Sequence, residues 1–236
     1  MHDQAKVKRN INTLDNPIWI PSKDGNGETL SNRPDFNFFT LKGLVTRSKD
    51  IDILNRLLYL AQSRRNPELE FFSVTTLLKE LGYEKSSSNI SSVMLAVEKW
   101  HNVKLRFKKD ILYVVDSYIF DNHVTSGRRK HVRIIMNKEF YKFNNDRYSV
   151  YLPIKAMEEL KPYSKRLYEI LVKSFYKRNH YNIGIEKLVG KMGYPYYNIQ
   201  PHSEFNRIVR NGVRDSKKLL NVKVTRKGEV FYFEKA

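Results

Sequence analysis

Residues 201–236 read PHSEFNRIVRNGVRDSKKLL followed by NVKVTRKGEVFYFEKA. In the first part Phe205, Val209, Val213, Ser216 and Leu220 recur every three or four residues, the spacing that gathers side chains on one face of an α-helix. Arg207, Arg210, Arg214 and Lys217 recur at the same spacing on another face. One side of this helix is built to pack and the other is cationic. The second part is rich in β-branched and aromatic residues around Arg226, Lys227 and Gly228, the pattern of a β-hairpin.

The segments just upstream complete a unit. LKPYSKRLYEILVKSFYKR from Leu160 reads as an amphipathic helix, and IGIEKLVGKMGY from Ile183 as a short helix stopped by glycine. The first half of the chain repeats this order. SKDIDILNRLLYLAQSRR places Ile51, Leu54, Leu58 and Ala61 on one face, with Ser48 as the expected N-cap. FFSVTTLLKELGY is a short helix capped by Ser73 and stopped by Gly82, and SSSNISSVMLAVEKWH a third helix. VKLRF, ILYVVDSYIF and HVRIIM then read as strands. The copies also keep register: LLYLA at Leu57 matches LYEIL at Leu167, and LGY at Leu81 matches MGY at Met192, at offsets of 110 and 111 residues.

Helix, helix, turn, helix and β-hairpin is the order of elements in a winged helix, so the expected fold is α+β with two tandem winged-helix domains. The expected boundaries are 33–146 for the first domain and 147–236 for the second. Residues 1–32, with the turn-rich PSKDGNGE from Pro21, are read as a flexible arm. The alternative reading is an edge strand through Ile18, Trp19 and Ile20 that pads a neighbouring domain.

Composition bears on the partner. Forty-three Lys and Arg against 25 Asp and Glu give a net charge of +18, which points to a polyanion. The charge runs through both halves instead of concentrating in one amphipathic helix, which favours nucleic acid over a membrane surface. The chain has no cysteine, hence no disulfide frame and no Cys-ligated zinc finger. No stretch approaches the roughly 18 consecutive apolar residues of a membrane-spanning helix, and the start MHDQAKVKRN lacks an apolar core behind its charges, so a cytoplasmic protein is expected.

A cationic helix presented by a short preceding helix can enter a major groove about 12 Å wide, where arginine bridges O6 and N7 of guanine. The expected base-reading set is Asn206, Arg207, Arg210, Asn211, Arg214 and Lys217, the four cations standing without an acidic partner on their stripe. The matching helix of the first half shows Ser87, Ser88, Ser91, Ser92 and Lys99, suited to backbone contacts that position without specifying. Lys108 and Lys109 at one hairpin tip, Arg226 and Lys227 at the other, and Arg128, Arg129, Lys130 and Arg133 in the SGRRKHVR loop are expected to clamp phosphates.

Enzyme signatures fail. GIEKLVGK from Gly184 has the wrong glycine spacing for a phosphate-binding loop, and Met192 stands where Ser or Thr is needed. No two histidines are placed one residue apart to hold a metal ion beside a nucleophilic tyrosine. Glu158 and Glu159 are adjacent on a helix and point apart. The expectation is no catalytic residue, no metal and no cofactor.

The second half resembles the C-terminal winged helix of iteron-binding plasmid replication initiators, the Rep type. The residues that carry the likeness are SKRLYEIL from Ser164, IEKLVGKMG from Ile185, FNRIVRNGVRDSKKL from Phe205 and the terminal hairpin. The first half fits the family's N-terminal winged helix by order of elements. What the resemblance implies is a double-stranded DNA-binding protein recognising direct repeats at an origin, as a monomer for initiation and a homodimer on operator DNA. It implies base reading by Arg207, Arg210, Asn211 and Arg214, and recruitment of a host initiator and a replicative helicase. The SGRRKHVR loop and the N-terminal 32 residues have no counterpart that maps onto the family. A transcriptional repressor without a replication role is the competing reading.

Overall fold

The computed structural model describes residues 5–15, 18–21, 36–39, 46–107, 110–120, 132–194 and 202–236. It is an α+β structure. β1 (Lys6–Asn10) runs into α1 (Ile11–Asp15), and β2 (Phe36–Phe39) precedes α2 (Ser48–Arg64), β3 (Glu68–Phe71), α3 (Val74–Glu80) and α4 (Ser87–His101). A hairpin of β4 (Lys104–Phe107) and β5 (Asp110–Tyr113) is followed by β6 (Val115–Phe120), β7 (Val132–Met136) and α5 (Lys138–Phe143). β8 (Ser149–Pro153) and α6 (Ile154–Glu158) lead to α7 (Pro162–Ser174), β9 (His180–Gly184), α8 (Ile185–Met192) and α9 (His202–Asp215), and the hairpin β10 (Val222–Lys227) and β11 (Val230–Lys235) closes the second half.

Local chemistry sets the helix ends. Ser73 Oγ accepts the Thr76 N–H at 3.1 Å to open α3, and Ser86 does the same for α4 through Asn89. At the start of α2 the expected cap, Ser48, is already helical. Asp50 does the work instead, accepting the Arg47 backbone N–H at 2.7 Å. Gly82 and Gly193 stand just beyond α3 and α8 at φ +73° and +59°, a left-handed conformation that a side chain disfavours. These two glycines lie 111 residues apart, so the repeat read in the sequence extends to the backbone.

Two of the strands that went unread in the sequence, β3 and β9, make the halves differ. In the second half β9, between the first two helices, pairs with β11 to give the sheet order β10-β11-β9. In the first half β3 occupies the same place in the chain but pairs with β7, giving β3-β7-β6, while the hairpin takes β2 as its third strand. The SGRRKHVR cluster was expected to lie wholly in a loop. Arg133 is instead on β7, opposite Glu70.

The stretch expected as a flexible arm is packed wherever it is described. β1 pairs antiparallel with β8, Lys6 opposite Pro153 and Asn10 opposite Ser149. Arg9 and Asn10 are fully buried, Arg9 donating to Asn55 at 2.7 Å and Asn10 binding Asn144 and Asp146. Ile18, Trp19 and Ile20 are buried without forming a strand. Such a polar strand stays in place because partners far along the chain satisfy its hydrogen-bonding groups.

Two hydrophobic cores result. The first runs from Val7 and Trp19 through α2, α3 and α4 to Leu152, Ile154, Met157 and Leu160. Residues 149–160 thus pack with the first half, past the boundary expected at Arg147, because β8 pairs with β1. The second core gathers Leu167, Ile170 and Leu171 of α7 with Leu188, Phe205, Val209, Phe231 and Phe233. α7 joins them, since its Tyr168 belongs to the first core and its neighbour Leu167 to the second. No helix among the described residues is long and apolar enough to cross a membrane.

Candidate nucleic-acid interface

α9 divides as its periodicity requires. Phe205, Val209, Gly212 and Val213 are buried against α7 and the terminal sheet, while Arg207, Arg210 and Arg214 are exposed. Gly212 lets α9 approach α7 closely, because a Cβ there would meet Leu167 Cδ2 at 2.8 Å and Ser164 Cα at 3.5 Å. Lys217 is also exposed, but lies in the turn after the helix. Asn206 and Asn211 are half-buried on its flanks.

The cations are not free of acids, contrary to the sequence reading. Glu204 takes two hydrogen bonds from Arg207, at 2.7 and 2.9 Å, which hold its carboxyl below the usual range. Arg214 Nε lies 3.7 Å from Asp215. Arg210 has no ion-pair partner among the described residues. The signal for Glu204 was in the sequence, at the i, i+3 spacing of Glu204 and Arg207.

In the first half, Ser87, Ser88 and Ser91 are exposed on the opening turns of α4. Backbone N–H groups at a helix start, together with hydroxyls, suit phosphate oxygens. Ser92 and Lys99 are engaged by side chains of α2: Lys49 Nζ donates to Ser92 Oγ at 3.0 Å at the surface, and Lys99 to Asp50 at 2.8 Å.

The remaining expected contacts divide three ways. Arg133 is held by Glu68 at 2.8 Å and Glu70 at 3.2 Å, so its charge is largely answered. Arg226 folds back to the Gly228 carbonyl and Glu229, leaving Lys227 as the exposed cation of that hairpin end. Lys108, Lys109, Arg128, Arg129 and Lys130 lie outside the described residues.

Sequence reasoning missed the group that connects α4 to α9. The opening turn of α2 reaches α4 through Lys49–Ser92, Asp50–Lys99 and the Trp100 indole, which donates to the Asp50 carbonyl at 2.8 Å. The same turn reaches α7 through Lys165, whose ammonium is 2.6 and 2.7 Å from the Asp52 oxygens and 3.0 Å from Ser48 Oγ. Next to Lys165, Ser164 donates to Asp215 at the end of α9 at 2.8 Å. Single residues of α2 and α7 gave no periodic signal for these links.

No family model matches the chain, and no curated protein matches it in sequence. Its likeness is to solved structures. A crystal structure of selenomethionine derivatives of domains 2 and 3 of RctB is similar over 96% of this chain and 98% of that one, with a TM-score of 0.63 and 12% identity. A crystal structure of RctB domains 2-3, residues 155–483, covers 85% of this chain and 86% of that chain at TM-score 0.49 and 13% identity. The first of these shows the fold: an α+β chain of two halves, similar throughout to two consecutive domains of RctB.

Proposed function

We propose that this protein is a sequence-specific binder of double-stranded DNA built from two winged helices, that it acts without catalysis, and that it serves as a replication initiator recognising repeated origin sites. The observation that carries this reading is α9. Its buried face is locked to α7, its outer face presents Arg210 with no acidic partner among the described residues, and Arg207, Arg214 and Lys217 flank it. The chain's net charge of +18 supplies the field that draws a polyanion to this surface. The exposed hydroxyls at the start of α4 add the positioning contacts that base-reading side chains need. The initiator role follows from the resemblance of 160–236 to the Rep type, which also implies direct repeats, a homodimer on operator DNA, and contacts with a host initiator and a replicative helicase.

The test is a gel shift of the purified chain on its own plasmid or upstream DNA, with unrelated duplex as competitor at physiological salt. Discrete competitor-resistant bands that climb as a ladder are expected. A smear abolished by any duplex reduces the interaction to unspecific charge and overturns the reading.

A further inference from the structure

A small polar joint links the two helices assigned to DNA. The opening turn of α2 holds α4 through Lys49, Asp50 and the Asp50 carbonyl, and the opening turn of α7 holds α9 through Ser164. Between those two turns stands the contact of Lys165 with Asp52 and Ser48, and the Lys165 side chain is 1% exposed. Tracing the bonds in order gives α9, Asp215, Ser164, Lys165, Ser48, Lys49, Ser92 and α4. The polar path between the two DNA-facing helices passes through one buried ammonium, beside the packing of Tyr168 in the first core.

We infer that the Lys165–Asp52 pair is a positioning device that fixes the spacing at which one copy of this protein reads two segments of a single duplex. The inference rests on the DNA-binding reading above and adds to it a specificity-determining pair that touches no nucleotide. Its physical basis is direction. An apolar contact between α2 and α7 would tolerate sliding, because hydrophobic attraction depends on area and has no preferred angle. One ammonium held by three oxygens at 2.6, 2.7 and 3.0 Å has few alternative positions. A buried ion pair is a poor source of stability beside well-packed apolar side chains, and its best-attested use is in fixing register. The consequence on DNA is angular. One inserted base pair rotates the second segment by about 35° around the duplex axis, since a turn holds roughly 10.5 base pairs. A rigid joint lets α9 follow α4 at one spacing only.

The experiment is selection from a random duplex library by the full chain, followed by gel shifts on duplexes whose spacer is varied one base pair at a time. The wild type and the double variant Asp52→Leu/Lys165→Met are compared, the variant replacing both charges by apolar side chains. Asp52→Asn/Lys165→Gln is a second version that keeps polar packing, and thermal melting certifies that the variants fold. The wild type is expected to enrich two blocks at one spacing and to lose about tenfold in affinity per inserted or deleted base pair, as for a poorly matched site. The variants are expected to keep both blocks and lose less than about threefold. Equal spacing preference in wild type and folded variants overturns the inference, and so does enrichment of a single block by the wild type, which leaves DNA recognition standing. No enriched sequence at all overturns the DNA-binding reading itself and takes this inference with it.

Discussion

The indole N–H of Trp19 donates to Oε2 of Glu169 at 3.0 Å, with both residues fully buried. The same carboxylate takes Arg166 at 2.9 Å and lies 3.9 Å from Arg9, and Arg166 also donates to the carbonyls of Leu14 and Lys191. Glu169 therefore ties the N-terminal segment to α7, and through α7 to both cores. Burial lowers the pKa of Arg9, while the Glu169 charge acts against that.

Glu169→Ala leaves two arginines buried without their carboxylate, and is expected to destabilise the chain by about 3–5 kcal/mol. Trp19→Phe keeps the ring and removes one hydrogen bond, at about 1–2 kcal/mol. Urea denaturation of both variants checks the order. Equal, small effects would show that the N-terminal segment is peripheral to stability.

A second prediction concerns pH. Burial pushes the Asp52 carboxyl up to about 6, outweighing the opposing pull of Lys165. Because this pKa is raised on folding, the group's contribution is complete below its unfolded value near 3.8 and is lost as pH rises through about 6. The stability of wild type minus that of Asp52→Asn is expected to fall by on the order of 1–3 kcal/mol between pH 4 and 7, and to be flat above. A difference that rises with pH would mean that the ionised carboxylate is the favoured buried form.

The cations of α9 and β7 are expected to differ in their effect on DNA. Arg210→Ala is expected to cost about 1–3 kcal/mol on cognate duplex while sparing the melting temperature. Glu204→Gln releases Arg207, so affinity and the dependence of binding on salt are both expected to rise. Arg133→Ala is expected to leave the salt dependence unchanged, because Glu68 and Glu70 already answer its charge. Fluorescence anisotropy over a salt series reads all three.

Gly212→Ala puts a methyl 2.8 Å from Leu167 Cδ2, inside a fully buried contact. Overpacking of this kind costs about 1–3 kcal/mol. Shortening Leu167 to Val in the same chain is expected to return part of the loss, and a double-mutant cycle measures that coupling. Additive effects would place the strain elsewhere.

The sequence was most readable where one period governs a long segment. α2, α4, α7 and α9 each set a buried stripe against a polar face, so their order and the internal repeat were visible. β1 was not, because KVKRN holds one apolar residue, and its burial depends on Asn55, Asn144 and Asp146, from 46 to 136 residues away. β3 and β9 were missed because four or five residues with few β-branched side chains give a weak alternating signal. At the candidate interface, spacing located the arginine row but said nothing of which charges are already matched, as Arg207 and Arg133 are. The joint of Lys165, Asp52 and Ser48 was invisible for a related reason: each residue sits in a charged helical turn that reads as solvated surface.

The pairing of β1 with β8 also sets an order of events during synthesis. Lys6 leaves the ribosome well before Pro153, its partner in the sheet, is made. At about 5–20 residues per second that interval is roughly 7–30 s, long compared with the microseconds in which a helix forms. α2, α3 and α4 can assemble in that time, while the opening strand waits, with its arginine and asparagine still in water. The last part of the first core to close is therefore the part of that core made earliest, and a nascent chain halted before residue 149 is expected to expose Val7 and Trp19 to proteases and chaperones.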